Sequence, residues 1–231
     1  MALVYLIPVP LSDDAATTIP PAVSEAILQC DIFFTENVRT ARRFFKKINS
    51  SIVIDNYEWA PFSNGDEQAK KLFSDKLKAG STIGIVSEAG CPGIADPGQE
   101  LVAIAQEKGV VVKPLVGPSS ILLALMASGL NGQQFCFHGY LPIDSNERTR
   151  KIKDLEAQSK RNGATQIFIE TPYRNNQLLE AILQHALPSS RLCIAADLTA
   201  PSEFIATKTI SDWKKEKPDL HKKPVIFCLR G

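Results

Sequence analysis

No two cysteines in this chain are spaced Cys-x-x-Cys. The five present, Cys30, Cys91, Cys136, Cys193 and Cys228, are scattered. That excludes a thiol–disulfide motif and a cysteine zinc site, and it predicts reduced thiols, mostly buried in strands, of a cytoplasmic protein. The three histidines, His138, His185 and His221, lack ligand spacing, so no metal is expected. The longest purely apolar run, Ile121 to Ala127, is far too short to span a bilayer, and no signal-peptide pattern opens the chain. Neither G-x-G-x-x-G nor a Walker sequence occurs, which disfavours an ordinary dinucleotide site or a P-loop. A net charge of +1 argues against a general nucleic-acid binder.

What is present is organised around Ile83 to Gly98. Ile83 to Val86 reads as a fully buried strand of a parallel sheet. The stretch from Val86 to Gly98 then holds Gly90, Gly93, Gly98, Pro92 and Pro97, a density of breakers that neither helix nor strand survives. Asp96-Pro97 reads as the cap and first position of the next helix. A βα connection needs only about 2–6 residues. A longer, shaped loop at the carboxyl end of a buried strand is where open α/β sheets put their ligands.

In chain order, Ala2 to Ile7 is a strand and Leu11 to Thr18 a polar loop. Pro21 starts a helix with Val23, Ala26, Ile27 and Cys30 on one face. Ile32 to Phe34 and Ile52 to Ile54 read as the second and third strands. Arg39 to Ile48 between them is a basic helix with Ala41, Phe44, Phe45 and Ile48 inward. Asn64 to Gly80 is a helix capped by the pair Asn64 and Glu67, with Ala69, Leu72, Phe73 and Leu77 as its stripe. A further helix, with Leu101, Val102 and Ala105 inward, ends at Gly109, and Val110 to Leu115 is a strand. This alternation predicts a mostly parallel α/β sheet in a first domain, 1–116.

Pro118 sits at an expected helix start, with Ser119 to Ser128 as the helix. From there a second domain, 117–231, changes style. Its strands are Phe135–His138, Gln166–Glu170, Leu192–Ala196, Phe204–Thr207 and Val225–Leu229. Its helices are Asn146–Arg161 and Pro172–Ala186. Consecutive strands near the end predict a mixed α+β sheet with antiparallel pairs. Basic residues cluster in Arg39–Lys47, Arg148–Arg161 and Lys214–Lys223, patches suited to an anionic partner such as RNA if the fold gathers them.

Val86-Ser87-Glu88-Ala89-Gly90-Cys91-Pro92-Gly93-Ile94-Ala95-Asp96-Pro97-Gly98 resembles the signature loop of the tetrapyrrole (corrin/porphyrin) methylase superfamily. The nearest branch is the one that methylates a ribose 2′-hydroxyl of small-subunit ribosomal RNA. Thr35–Arg39, Pro114–Ser120, Phe135–Pro142 and Glu170–Arg174 match in the same order. The resemblance implies a two-domain fold with S-adenosylmethionine bound in a cleft between the domains, and commonly a homodimer. It implies cofactor contacts from Pro10, Leu11, Glu88, Gly90, Cys91, Ile94, Asp96, Ser119, Ser120, Leu141, Thr171, Ala196, Pro224 and Val225. It also implies a short form, without the helical extension that longer members carry beyond the position of Gly231.

Methyl transfer to a hydroxyl needs alignment and a proton acceptor. Glu36, Glu88, Asp96 and Glu170, on expected strand ends, are the carboxylates available, with Arg39 and Arg174 as anion clamps. The first loop lacks the branch's glycine, and Glu36-Asn37-Val38-Arg39 has one carboxylate fewer than its Glu-Asp-Thr-Arg. Glu88 and Cys91 stand for its aspartate and threonine. These departures leave open a small corrinoid or porphyrin-like acceptor, or a protein that binds the cofactor without catalysis. Phe44, Phe45, Tyr57, Trp59 and Phe62 are candidate apolar anchors of the dimer.

Overall fold

Short β-branched and aromatic runs without polar breaks form the inner strands of the first sheet. A computed structural model describes all residues 1–231, and it divides into two compact units, Met1–Ser119 and Ser120–Gly231. In the first unit, β1 (Leu3–Ile7), β2 (Ile32–Thr35), β3 (Glu58–Pro61), β4 (Thr82–Val86) and β5 (Val111–Pro114) form a sheet of order β3-β2-β4-β1-β5. Every pairing in it is parallel. The prolines Pro61 and Pro114 fall on its two edge strands, where a missing N–H costs no ladder bond.

Helices α1 (Pro21–Ile27), α2 (Val38–Ile48), α3 (Glu67–Lys78) and α4 (Gln99–Glu107) complete this unit. Two separate apolar clusters involve this sheet. One joins Ile7, Phe33 and Val86 to α1 and α2; the other joins Val4, Phe34, Ile83 and Ile85 to α3 and α4. Helix α2 buries Ala41, Phe44 and Phe45 and turns its basic residues outward.

Several local expectations are corrected. Ile52 to Ile54 is not a strand: Ile54–Asn56 is a 3₁₀ turn, and the third strand is Glu58–Pro61. Ile52 and Ile54 instead join the core cluster that holds α2. The segment after β1 is not plain loop, because Asp13–Thr18 winds as a 3₁₀ helix. Asp66, not Asn64, caps α3 by accepting from the Ala69 N–H at 3.0 Å, and Leu72 faces outward. Asp96 caps nothing; Gly98, at φ 127°, precedes α4. The anchors expected for a dimer turn inward. Phe44, Phe45 and Phe62 are buried, and Tyr57 and Trp59 pack on the Phe33 ring at 5.1 and 5.2 Å.

In the second unit, α5 (Ser120–Ser128) starts two residues beyond Pro118. Strands β6 (Phe135–Tyr140), β7 (Thr165–Ile169), β8 (Arg191–Ala196), β9 (Phe204–Thr209) and β10 (Val225–Arg230) form a sheet of order β6-β7-β10-β8-β9. Only β6 and β7 pair in parallel; the rest are antiparallel, as a mixed sheet requires. Helices α6 (Ser145–Asn162) and α7 (Asn175–His185) cover one face through Ile152, Leu155, Leu178 and Ile182 on Phe168, Ile194 and Phe227. Helix α5 packs against β8, β9 and β10. A short helix that periodicity did not reveal, α8 (Ile210–Lys215), buries Trp213, whose indole N–H donates to the Leu192 carbonyl at 2.8 Å. No helix is long and apolar enough to cross a membrane.

Candidate functional site

All strands of the first sheet point one way, so the loops after β1, β2, β4 and β5 emerge at one end. These loops carry Pro10 and Leu11, Glu36, Glu88 to Asp96, and Ser119. They are tied to one another by the backbone. The Val9 N–H donates to the Gly90 carbonyl at 2.8 Å, and the Gly90 N–H returns to Val9 at 2.9 Å. The Cys91 thiol donates to the Pro118 carbonyl at 3.4 Å, and burial pushes its pKa up, keeping it a neutral donor.

The glycines here serve shape more than exposure. Gly90, at φ +71°, has both main-chain groups spent on Val9, and an added Cβ would stand 3.3 Å from the Leu11 side chain. Gly117 has no positive φ, yet a Cβ on it would lie 2.2 Å from the Pro8 side chain. Gly90→Val is therefore expected to lower stability by about 2–3 kcal/mol, since a β-branched residue resists the left-handed region. Urea unfolding checks this: a loss below that of Gly132→Ala, an exposed glycine with open space around it, would contradict it.

Three carboxylates gather at this end. The Glu36 carboxyl has its pKa raised, first by burial, then by the charges of Asp96 and Glu88, partly offset by the Glu88 backbone N–H. Asp96 is raised by burial and then by Glu88. Glu36 Oε1 is buried without a partner. Glu88 Oε1 receives the Thr40 hydroxyl at 2.6 Å, and Ile94 stands exposed on the same loop. Beside Glu88 opens a cavity of about 370 Å³, whose walls include Leu11, Ser12, Thr40, Arg43 and Lys47. Arg39 lies exposed on the first turn of α2.

In the second unit the expected residues also meet at one end of a sheet. Leu141 follows β6, Thr171 follows β7 and Ala196 closes β8. Val225, in register with Ala196, opens the antiparallel β10, just after Pro224. Glu170 is 1% exposed in its side chain; its Oε1 accepts from the Thr171 N–H at 2.6 Å and from Arg174 at 2.7 Å. Arg174 is thus already committed to Glu170.

Two further observations mark these ends. Six buried side-chain polar atoms lack a partner: Ser12 Oγ, Glu36 Oε1, Arg148 Nε, Glu170 Oε2, Asn175 Oδ1 and Thr199 Oγ1. The first two follow strands of the first sheet, and the other four follow β6, β7 and β8. The non-glycine residues at positive φ are Ala95, Asp197, Thr199 and Lys222, and they lie at the same ends. Unsatisfied polar atoms and backbone strain are both costly, and both concentrate at ligand sites. Asn175 and Thr199 had no sequence signal of their own, and Arg148 had only its place at the head of the basic run Arg148–Arg161. Arg43 and Lys47 had one, the i, i+4 spacing with Arg39 along α2.

Residues 3–213 match the family described as Tetrapyrrole (Corrin/Porphyrin) Methylases. The chain is 28% identical to the Ribosomal RNA small subunit methyltransferase I of Vibrio cholerae serotype O1, over 99% of this chain and 77% of that protein. It is 30% identical to the protein of the same name from Escherichia coli O157:H7, over 98% and 77% respectively. Among solved structures, diphthine synthase superposes at a TM-score of 0.70 with 13% identity, covering 100% of this chain and 90% of that one. Uroporphyrin-III C-methyl transferase from Thermus thermophilus, complexed with S-adenosyl homocysteine, superposes at 0.56 with 14% identity, covering 98% and 96%. With the signature loop at the strand ends and a match across nearly the whole length, the chain belongs to the tetrapyrrole methylases and is a methyltransferase.

Proposed function

We propose that the chain transfers a methyl group from S-adenosylmethionine to RNA, the acceptor being a ribose 2′-hydroxyl of small-subunit ribosomal RNA. What carries this reading is the similarity, at 28–30% identity over 98–99% of the chain, to relatives named for that RNA. A polar donor suits the strand ends described above, since the buried atoms Glu36 Oε1, Glu170 Oε2 and Asn175 Oδ1 are acceptors without donors. The residues assigned to it are Pro10, Leu11, Glu88, Gly90, Cys91, Ile94, Asp96 and Ser119 in the first unit. In the second they are Ser120, Leu141, Thr171, Ala196, Pro224 and Val225. Gly90 and Cys91 act by fixing the loops rather than by offering free backbone.

When bound, the donor supplies an electrophilic methyl group on a positively charged sulfur. The chain's part is to align the acceptor and to receive its proton. Glu36 and Asp96 are the carboxylates suited to receive it, because burial first and the like charges around them second raise the proton affinity of both. Glu170 holds Thr171 and Arg174 in place. The reading includes a homodimer on family grounds, and the cytoplasm as its compartment. Incubation with methyl-labelled donor and either ribosomal small subunits, total RNA or tetrapyrroles tests the acceptor. Label in small-subunit RNA is the expected result; label only in a tetrapyrrole, or in nothing, overturns it.

A further inference from the structure

Helix α2 presents Arg39, Arg43 and Lys47 at i, i+4 and i+8, one stripe with about 6 Å of rise between successive members. Their neighbours on the helix are otherwise engaged: Arg42 pairs with Asp55 and lies over the Trp59 ring, and Lys46 reaches the Ser50 carbonyl. Arg39 and Arg43 make no ion pair, and Lys47 touches only the Asp13 carbonyl. Arg43 and Lys47 form one wall of the 370 Å³ cavity. The same cavity is also lined by Glu88, Asp13 and Ser12, whose hydroxyl oxygen is buried and unpartnered.

The cavity therefore offers cations and hydrogen-bond acceptors together. A sugar phosphate matches both, with an anion at one end and hydroxyl donors at the other. An apolar macrocycle fringed with carboxylates has its N–H donors at the ring centre and no peripheral hydroxyl for Glu88 and Asp13 to accept from. We propose that this cavity seats the ribose of the target nucleotide, with Arg43 and Lys47 on its phosphate, Glu88 accepting from its 2′-hydroxyl, and Arg39 on the neighbouring phosphate. This rests on the RNA reading and names the residues that select the acceptor.

The test is affinity for a dye-labelled small-subunit RNA fragment, and for its 2′-deoxy counterpart, at several salt concentrations. Two contacted phosphates give a log–log salt slope of about −1.4 on single strands. Arg43→Glu is expected to weaken RNA binding at least tenfold and to make the slope shallower by about 0.7, with donor affinity unchanged by calorimetry. Lys71→Glu, the same charge change on an exposed lysine of α3, should alter RNA affinity less than twofold. Glu88→Gln should reduce the preference for RNA over the deoxy strand severalfold, because the 2′-hydroxyl is what distinguishes them. If small-subunit RNA is labelled in the methyl-transfer assay, yet Arg43→Glu binds like Lys71→Glu or Glu88→Gln keeps the preference, this assignment falls while the RNA reading stands. If no RNA is labelled, both fall.

Discussion

Glu36→Gln is expected to lower kcat for methyl transfer to RNA by about 100-fold or more, the usual scale for losing a positioned proton acceptor. The same substitution is expected to make the protein more stable at neutral pH. Glu36 and Asp96 have carboxyl pKa values raised by burial and by like charges nearby, so the folded state binds their protons more tightly than the unfolded chain does. Their contribution to stability is thus fully present below the unfolded pKa and is lost as pH rises through the raised folded value. Glutamine copies the protonated form at Glu36 and keeps the stabilisation at every pH. The gain over the wild type should be seen at pH 7 and vanish below about pH 4, where the wild-type carboxyl is itself protonated. Activity of the wild type should rise with pH through an apparent value above the ordinary carboxylate range, belonging to the cluster and not to one residue. Thermal melts and initial rates across pH decide it. A variant less stable than wild type at neutral pH, with near-normal turnover, would return Glu36 to a purely structural role.

That cluster shows where sequence reading stops. Glu36, Glu88 and Asp96 were each legible as residues near strand ends, because Ile32–Phe34 and Ile83–Val86 are apolar runs whose strands the structure contains. Their mutual repulsion was not legible, since it follows from parallel pairing that sets Thr35 beside Val86. The fold class rests on alternation, a signal summed over many elements, and the two sheets carry it. Single short elements fared worse. Ile52 to Ile54 has strand composition but only three residues, and it seats in the core as a plug before the true edge strand. Asn64 and Asp66 both have capping side chains, and only the observed geometry selects Asp66. The cavity beside α2 was invisible because its walls come from three separated segments.

The largest loss of stability is expected from one methyl group at Gly84. This glycine sits mid-strand in β4, the central strand of the first sheet, paired with Phe33 on one side and Tyr5 on the other. Its φ is not positive, so backbone freedom is not what the position needs. An added Cβ would lie 2.4 Å from Phe33 Cδ1 and 2.8 Å from Ile7 Cδ1. Phe33 is fully buried and cannot yield, since Phe45, Tyr57 and Trp59 hold its ring at 4.7, 5.1 and 5.2 Å. Overpacking of this kind costs about 3 kcal/mol, which lowers Tm by roughly 6–12 °C in a chain of this size. Trp59 in the first unit and Trp213 in the second report on separate cores. Gly84→Ala should perturb the environment of Trp59 and leave that of Trp213 as it was in the native state. Urea unfolding followed by tryptophan fluorescence, with each tryptophan replaced in turn by phenylalanine, measures both effects. A Gly84→Ala protein as stable as Gly132→Ala would mean that Phe33 has room to move, and that the aromatic cluster under the signature loop is looser than its ring distances indicate.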